Sequence, residues 1–160
     1  MKIEIERKFL IKDKSIIENL NGVHYIQGYL SFDPERTVRV RTCGEKGYIA
    51  VKGKKNKGSG LEYEYEIPYE DAAEMLEMLC KKPLIDKHRY NYEYHGKVWE
   101  IDVFHKENEG LVIAEIELVS IDEPFSKPDW IGTEVTGDSR YSNSNLVRNP
   151  YTLWNNRQSS

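Results

Sequence analysis

The sequence predicts a β-dominated α+β fold in which about eight short antiparallel strands make a barrel or a strongly curved sheet with few covering helices. Apolar and charged residues alternate with period two along most of the 160-residue chain, the pattern of strands with two unlike faces. Turn signals recur at hairpin-like spacing, at Asp33-Pro34, Gly44 to Gly47, His95-Gly96 and Asn108-Glu109-Gly110. Only one segment carries a strong helical period.

The first strand is expected over Ile3 to Leu10, where Arg7 alone breaks the alternation. A short helix from Ser15 to Leu20 would be closed by Asn21-Gly22. Strands follow at His24 to Leu30, Thr37 to Arg41 and Tyr48 to Lys52, and Gly53 to Gly60 reads as a polar, flexible connection. Leu61 to Ile67 alternates Leu, Tyr, Tyr and Ile with Glu62, Glu64 and Glu66. Asp71 to Cys80 combines strong helix formers with 3.6-residue spacing and predicts the principal helix. Strands resume at Leu84 to Tyr94, Val98 to Phe104 and Leu111 to Val119, and a last short helix is expected near Asn143–Val147.

Length favours one domain, taken as residues 1–154, with 155–160 expected to be a disordered tail. Hydrophobic residues make up 39% and charged residues 31%, with 23 basic and 27 acidic side chains and a net charge of −4. A net acidic chain lacks the basic footprint of general nucleic-acid binding. Cys43 and Cys80 have no metal-site spacing and are expected to be reduced and buried. The charged, alternating start is unlike a signal peptide, and no apolar run approaches membrane-spanning length, so a cytoplasmic location is expected. There is no Walker P-loop, and His24, His88, His95 and His105 are scattered along the chain, as packing or surface histidines usually are.

The polar face of the strands is unusual. It carries Glu4, Glu6 and Lys8, then Arg39 and Arg41, then Lys52, then Glu62, Glu64 and Glu66. It continues with Lys87 and Arg89, Glu100 and Asp102, and Glu115 and Glu117. On any single strand a solvated surface would explain such a run. Across the whole sheet, like charges crowded on one face are destabilising unless something compensates them. Cross-strand ion pairs would do so, and so would a bound polyanion with divalent cations. A barrel of about eight strands has room for side chains or one small ligand, and burying unpaired charge costs several kcal/mol per ion. Arg supplies planar forks and Lys point charges for phosphate, while carboxylates suit hard cations such as Mg²⁺ or Mn²⁺. Together they match metal-assisted phosphoryl transfer to water. The opposite face, with Ile3, Ile5, Phe9, Val38, Val40, Leu61, Tyr63, Tyr65, Ile101, Val103, Ile116 and Leu118, needs covering. Helices would cover part of it and a homodimer interface more.

The run Glu4-Ile5-Glu6-Arg7-Lys8 resembles the ExExK signature of the CYTH, or triphosphate tunnel metalloenzyme, superfamily. Gln27-Gly28-Tyr29-Leu30, Arg39-Val40-Arg41, Lys52, Glu62-x-Glu64, Lys87-x-Arg89 and Glu115-x-Glu117 follow in the order of that family, and the resemblance runs to about Leu153. It implies a closed eight-stranded antiparallel tunnel acting on triphosphate-bearing substrates with Mg²⁺ or Mn²⁺. Lys8, Arg39, Arg41, Lys52, Lys87 and Arg89 would then hold phosphates. Glu4, Glu6 and Glu117 would be the foremost metal ligands, assisted by Glu62, Glu64, Asp102 and Glu115. Lys87 with Tyr29 resembles a catalytic dyad, and a glutamate orienting metal-bound water is the other route. The compact length is most similar to the short prokaryotic inorganic triphosphatases. Nucleoside or thiamine triphosphatases, class IV-type adenylyl cyclases and a non-catalytic polyphosphate-binding module remain alternatives.

Overall fold

A computed structural model of the chain describes residues 2–154, so the expected tail at 155–160 lies outside the described residues. Nine strands run β1 Ile3–Ile11, β2 Gly22–Ser31, β3 Arg36–Cys43, β4 Lys46–Gly53, β5 Ser59–Ile67, β6 Ile85–Tyr94, β7 Lys97–Phe104, β8 Val112–Glu117 and β9 Ile131–Glu134. The helices are α1, Tyr69–Met78, and α2, Asn143–Arg148, with short 3₁₀ turns between elements. All ladders are antiparallel. The order β5-β4-β3-β2-β6-β7-β8-β1 closes on itself through β5–β1, making an eight-stranded barrel with β9 added beside β1. Closure divides β1 in two. Ile3 to Ile5 pair with β5, while Phe9 and Ile11 pair with β9 on that side.

Each expected strand is present, within a few residues at its ends. The hairpin β6–β7 turns at His95-Gly96, both at positive φ (49° and 76°), as a tight primed turn requires. The expected helix at Ser15–Leu20 is instead a 3₁₀ turn at Lys14–Asn19, with the Asp13 side chain accepting from Ser15 N–H. Six residues with β-branched Ile16 and Ile17 before Asn21-Gly22 are too few to propagate an α-helix. Strand β9 had no sequence signal, because four residues next to Pro124 and Pro128 are too few to show a period.

The outward apolar face is covered in two places. Helix α1 buries Ala72 and Leu76 against Val40, with Ile49 and Ile67 beside them; each fully buried aliphatic of this size contributes about 1.5–3 kcal/mol. On the β1/β7/β8 side, Phe125 and Trp130 from the segment before β9 pack edge-on to Trp99, 5.8 and 6.0 Å between centroids, over Phe9, Ile101 and Ile116. Ile3, Val51, Leu61 and Tyr65 remain exposed. No helix among the described residues is long and apolar enough to cross a membrane.

The inner face is not charged throughout, as the strand patterns had led us to expect. At one end it changes to Leu10, Tyr29, Ile85, Phe104 and Ile113, which form one buried cluster with Val135, Tyr141, Leu146, Val147 and Tyr151. That end is a plugged, apolar core. The C-terminal segment supplies much of the plug and explains why the tail holds a short helix.

Candidate functional site

The charged half of the barrel interior encloses a cavity of about 1010 Å³. Period-two geometry puts alternate residues of each strand on it. Glu4, Glu6 and Lys8 of β1 line it, with Arg39 and Arg41 of β3, Lys52 of β4, and Glu62 and Glu64 of β5. Lys87 and Arg89 of β6, Glu100 of β7, and Glu115 and Glu117 of β8 complete the ring, and Tyr29 reaches it near the plug. These side chains therefore share one cavity.

Glu66 shares the inner face of β5 but lies past the cavity and is exposed. Asp102 differs from its expected place on the wall. It is 1% exposed, sits behind the lining, and has both oxygens engaged. Lys87 Nζ donates to Oδ2 at 2.7 Å, Arg89 Nε to Oδ1 at 2.7 Å and Arg89 Nη2 to Oδ2 at 2.9 Å. Such a carboxylate holds cations in position rather than presenting lone pairs to a metal. Glu100, not among the assigned ligands, faces the cavity instead, with Arg89 Nη1 3.4 Å away.

Opposite, Glu64 braces the second cationic pair, with Arg39 Nη2 at 2.7 Å and Arg41 Nη2 at 3.1 Å. Lys52 Nζ lies 3.6 Å from Glu4 and 3.8 Å from Glu62, and Lys8 Nζ 3.9 Å from Glu115. Tyr25 was not singled out in the sequence, yet it pairs with Lys87 in the β2–β6 ladder. The Arg41, Arg89 and Lys87 cations stand 5.1, 5.1 and 5.9 Å from its ring centroid. Tyr29 lies beyond that ladder, so the phenol registered with Lys87 is Tyr25. Gln27, between the two tyrosines on the inner face, is fully buried, and its amide has no hydrogen-bond partner among the described residues.

The carboxylates are crowded. Glu6 is directly opposite Glu117, and Glu100 opposite Glu115, an arrangement that repels unless a proton or a cation intervenes. Burial and a hydrogen bond to Glu4 push Glu62 up to about 7, against Lys52 and Arg39. Burial, the Glu6 charge and a hydrogen bond to Glu6 push Glu115 up to about 7, against Lys8 and Arg89. Burial and the Glu4 and Glu100 charges raise Glu117 as well. Burial would also raise Glu4, but the Glu62 hydrogen bond and the Lys52 and Lys55 charges bring it well below the usual carboxylate range. Two carboxyl pairs, Glu4/Glu62 and Glu6/Glu115, thus share protons that a hard divalent cation would replace. Oxygen donors of this kind suit hard cations such as Mg²⁺ or Mn²⁺, and no three of the carboxylates among the described residues are drawn together as a ready-made metal site. Burial, with Arg89 nearby, lowers Lys87 to about 8 despite Asp102 and Glu115.

The histidines, except His95, converge outside the barrel. His24 Nε2 is 2.7 Å from Asp86 Oδ1, and His88 Nδ1 is 2.8 Å from His105 Nε2. They have no part in the cavity. Both cysteines are free, Cys80 buried and Cys43 half-buried.

These features define a small antiparallel barrel whose interior joins bracketed cations to crowded carboxyls. The chain belongs to the CYTH domain family, whose model matches residues 2–151. It is 56% identical over 148 residues to a protein of Acetivibrio thermocellus named inorganic triphosphatase, spanning 92% of this chain and 95% of that one. A second protein of that name, from Nitrosomonas europaea, is 34% identical over 149 residues, spanning 90% and 96%. A crystal structure of an inorganic triphosphatase matches with a TM-score of 0.65 at 33% identity, covering 89% of this chain and 96% of that one.

Proposed function

We propose that this chain hydrolyses inorganic triphosphate with the help of Mg²⁺ or Mn²⁺, by water attack inside the barrel. The observation that carries the reading is the meeting, in one cavity, of two braced cationic pairs, Arg39/Arg41 and Lys87/Arg89, with the carboxyls of β1 and β8. The relatives named inorganic triphosphatase support the choice of substrate. The net charge of −4 favours a small anion held locally over nucleic acid, and no membrane partner is expected.

Lys8, Arg39, Arg41, Lys52, Lys87 and Arg89 surround the phosphate chain, the arginines as bidentate forks and the lysines as point charges. Glu4, Glu6, Glu115 and Glu117 would hold the metal, with Glu62 assisting, while Glu64, like Asp102, has both oxygens given to arginines and braces them instead. When bound, the divalent ion would neutralise phosphate charge and polarise a phosphoryl oxygen. Water attacks the terminal phosphorus, the bridging P–O bond breaks, and pyrophosphate leaves with the electron pair. Lys87 holds phosphate as a cation, and, lowered to about 8 by burial, the fraction of it that is neutral is placed to take the proton of the attacking water. Because Arg39, Arg41 and Arg89 are already braced by Glu64 and Asp102, little reorganisation is needed as charge builds on the leaving oxygen.

A nucleoside triphosphate is the second reading, favoured by one feature at the cavity rim. Phe32 stands 5.3 Å from Tyr29, with Arg148 5.4 Å over its ring. Phosphate release from tripolyphosphate, ATP and pyrophosphate, with Mg²⁺, with Mn²⁺ and with excess EDTA, tests both. Unchanged hydrolysis in EDTA overturns the metal, and failure on every substrate leaves a binding module.

A further inference from the structure

The stretch from Gly53 to Gly60 looks like a plain connector in the sequence. In the structure it is fastened to β1. Glu6 N–H donates to Gly58 O at 3.0 Å, and Asn56 pairs with Ser59 to form a tight turn. Gly58 has φ +84°, and a Cβ there would come within 2.5 Å of Glu6 O, so only glycine allows this approach. The fastening projects Lys55 over the cavity. Its ammonium lies 2.8 Å from Glu4 Oε1 and also contacts Glu6 Oε1.

Most other cavity cations have assignments that leave Glu4 and Glu6 to Lys55. Arg39 and Arg41 are braced by Glu64, Lys87 and Arg89 by Asp102, and Lys8 leans on Glu115. Lys52 reaches Glu4 only at 3.6 Å. The chain therefore offsets the charge of its own foremost metal-ligand pair with a single point charge on a four-carbon stem.

We propose that Lys55 is the internal counter-ion of Glu4 and Glu6, displaced when a divalent cation binds and thereby released to the phosphate chain. The inference rests on the reading that Glu4 and Glu6 hold that cation. A divalent ion and an ammonium cannot both sit closely on the same carboxylate oxygens without strong repulsion. Displacement lowers metal affinity in the absence of anion. Once released, Lys55 faces a cavity whose natural occupant is a polyanion, so triphosphate recovers its lost ion pairs. Metal and triphosphate then favour each other's binding, reciprocally. The device partly offsets the charge of the carboxyl pair between turnovers without a resident metal.

The test is Mn²⁺ binding to the full chain without any anion, read from the loss of the free-ion electron paramagnetic resonance signal. Lys55→Met should bind Mn²⁺ about fivefold tighter or more, at the lower edge of ordinary coupling between sites, and Lys55→Arg should stay at the wild-type value. Without metal, Lys55→Met should melt below the wild type, and added Mn²⁺ should raise its melting point by more. Lys55→Gln serves if the methionine variant does not fold. Equal or weaker Mn²⁺ affinity in the uncharged variants overturns the proposal and leaves the metal reading intact. No Mn²⁺ binding to any of the proteins overturns both.

Discussion

Replacing Glu115 by Gln should make the metal-free protein more stable at pH 8, while hydrolysis collapses. Glu115 is buried in the cavity wall, and burial with the Glu6 charge moves it from 4.5 to about 7. A group whose folded pKa is raised contributes stability that is complete below its unfolded value and is lost as pH rises through the folded one. The window here runs from roughly 4.5 to above 7. The displacement from 4.5 to about 7, at ~1.4 kcal/mol per tenfold, corresponds to roughly 3 kcal/mol. Glutamine keeps the shape and never ionises, so the variant escapes that loss. At pH 8 in EDTA it should exceed the wild type by about 3 kcal/mol in urea unfolding, or ~6–12 °C in Tm. At pH 5 the two should nearly coincide. Divalent cation should close the gap at pH 8 by stabilising only the wild type, since a ligand that binds the folded state adds to its stability. Equal stabilities at pH 8 in EDTA, or a wild type that gains stability from pH 5 to 8 through this group, would refute the reasoning.

Asp102→Asn leaves the buried Lys87 and Arg89 without their common carboxylate. Breaking a buried ion pair from one side should cost about 3–5 kcal/mol in urea unfolding, and a loss below about 1 kcal/mol would show that the clamp is not structural. Gly58→Ala forces its Cβ against Glu6 O and should lower Tm by several degrees, on the order of 1–3 kcal/mol for a strained backbone; an unchanged melt would remove the fastening of the Lys55 loop. Tripolyphosphate should be preferred to ATP in kcat/KM at matched free metal, and Phe32→Ala should change neither value by more than about twofold. A higher kcat/KM for ATP, lost in Phe32→Ala, would establish the rim as a base subsite.

The strands were legible because one physical fact, the opposite facing of successive side chains, writes itself into period two. The inner charges were legible for the same reason: no Ser, Thr or Gln interrupts Arg39-x-Arg41, Glu62-x-Glu64 or Glu115-x-Glu117. The plug was also written there and was missed. It appears as Leu10 after Lys8 and as Phe104 after Asp102, at the C-terminal ends of β1 and β7. On the antiparallel neighbours β6 and β8 it appears at the N-terminal ends, as Ile85 before Lys87 and Ile113 before Glu115. Read strand by strand, these are unrelated residues. Only the register, with Leu10 opposite Ile113, puts them on one level. Lys55 had no such signal, since a loop has no period and its position depends on a glycine meeting a carbonyl far away in sequence. Asp102 and Glu100 are equivalent in the pattern of β7 and differ only in their neighbours on β6. Asp102 is opposite Arg89, while Glu100 is opposite Asn91, which leaves it to the cavity.

The division of charge follows from the same register. The chain is acidic overall, with a net charge of −4, yet cations outnumber carboxyls among the residues lining the cavity. Glu62 and Glu115, raised to about 7, hold their protons in slightly acid solution and tilt the balance further. A concave, cation-rich interior within an acidic body focuses attraction on anions small enough to enter the barrel and repels extended polyanions at its outer surface. The carboxyls on β1 and β8 limit that attraction, because a bare phosphate chain would meet Glu4, Glu6 and Glu117 at close range. On the proposed reading, a divalent cation would remove that opposition and the shared protons together. On that reading metal and triphosphate would each be incomplete ligands of the cavity alone, and the charge pattern of β1, with two glutamates and a lysine on one face, already contains groups suited to both.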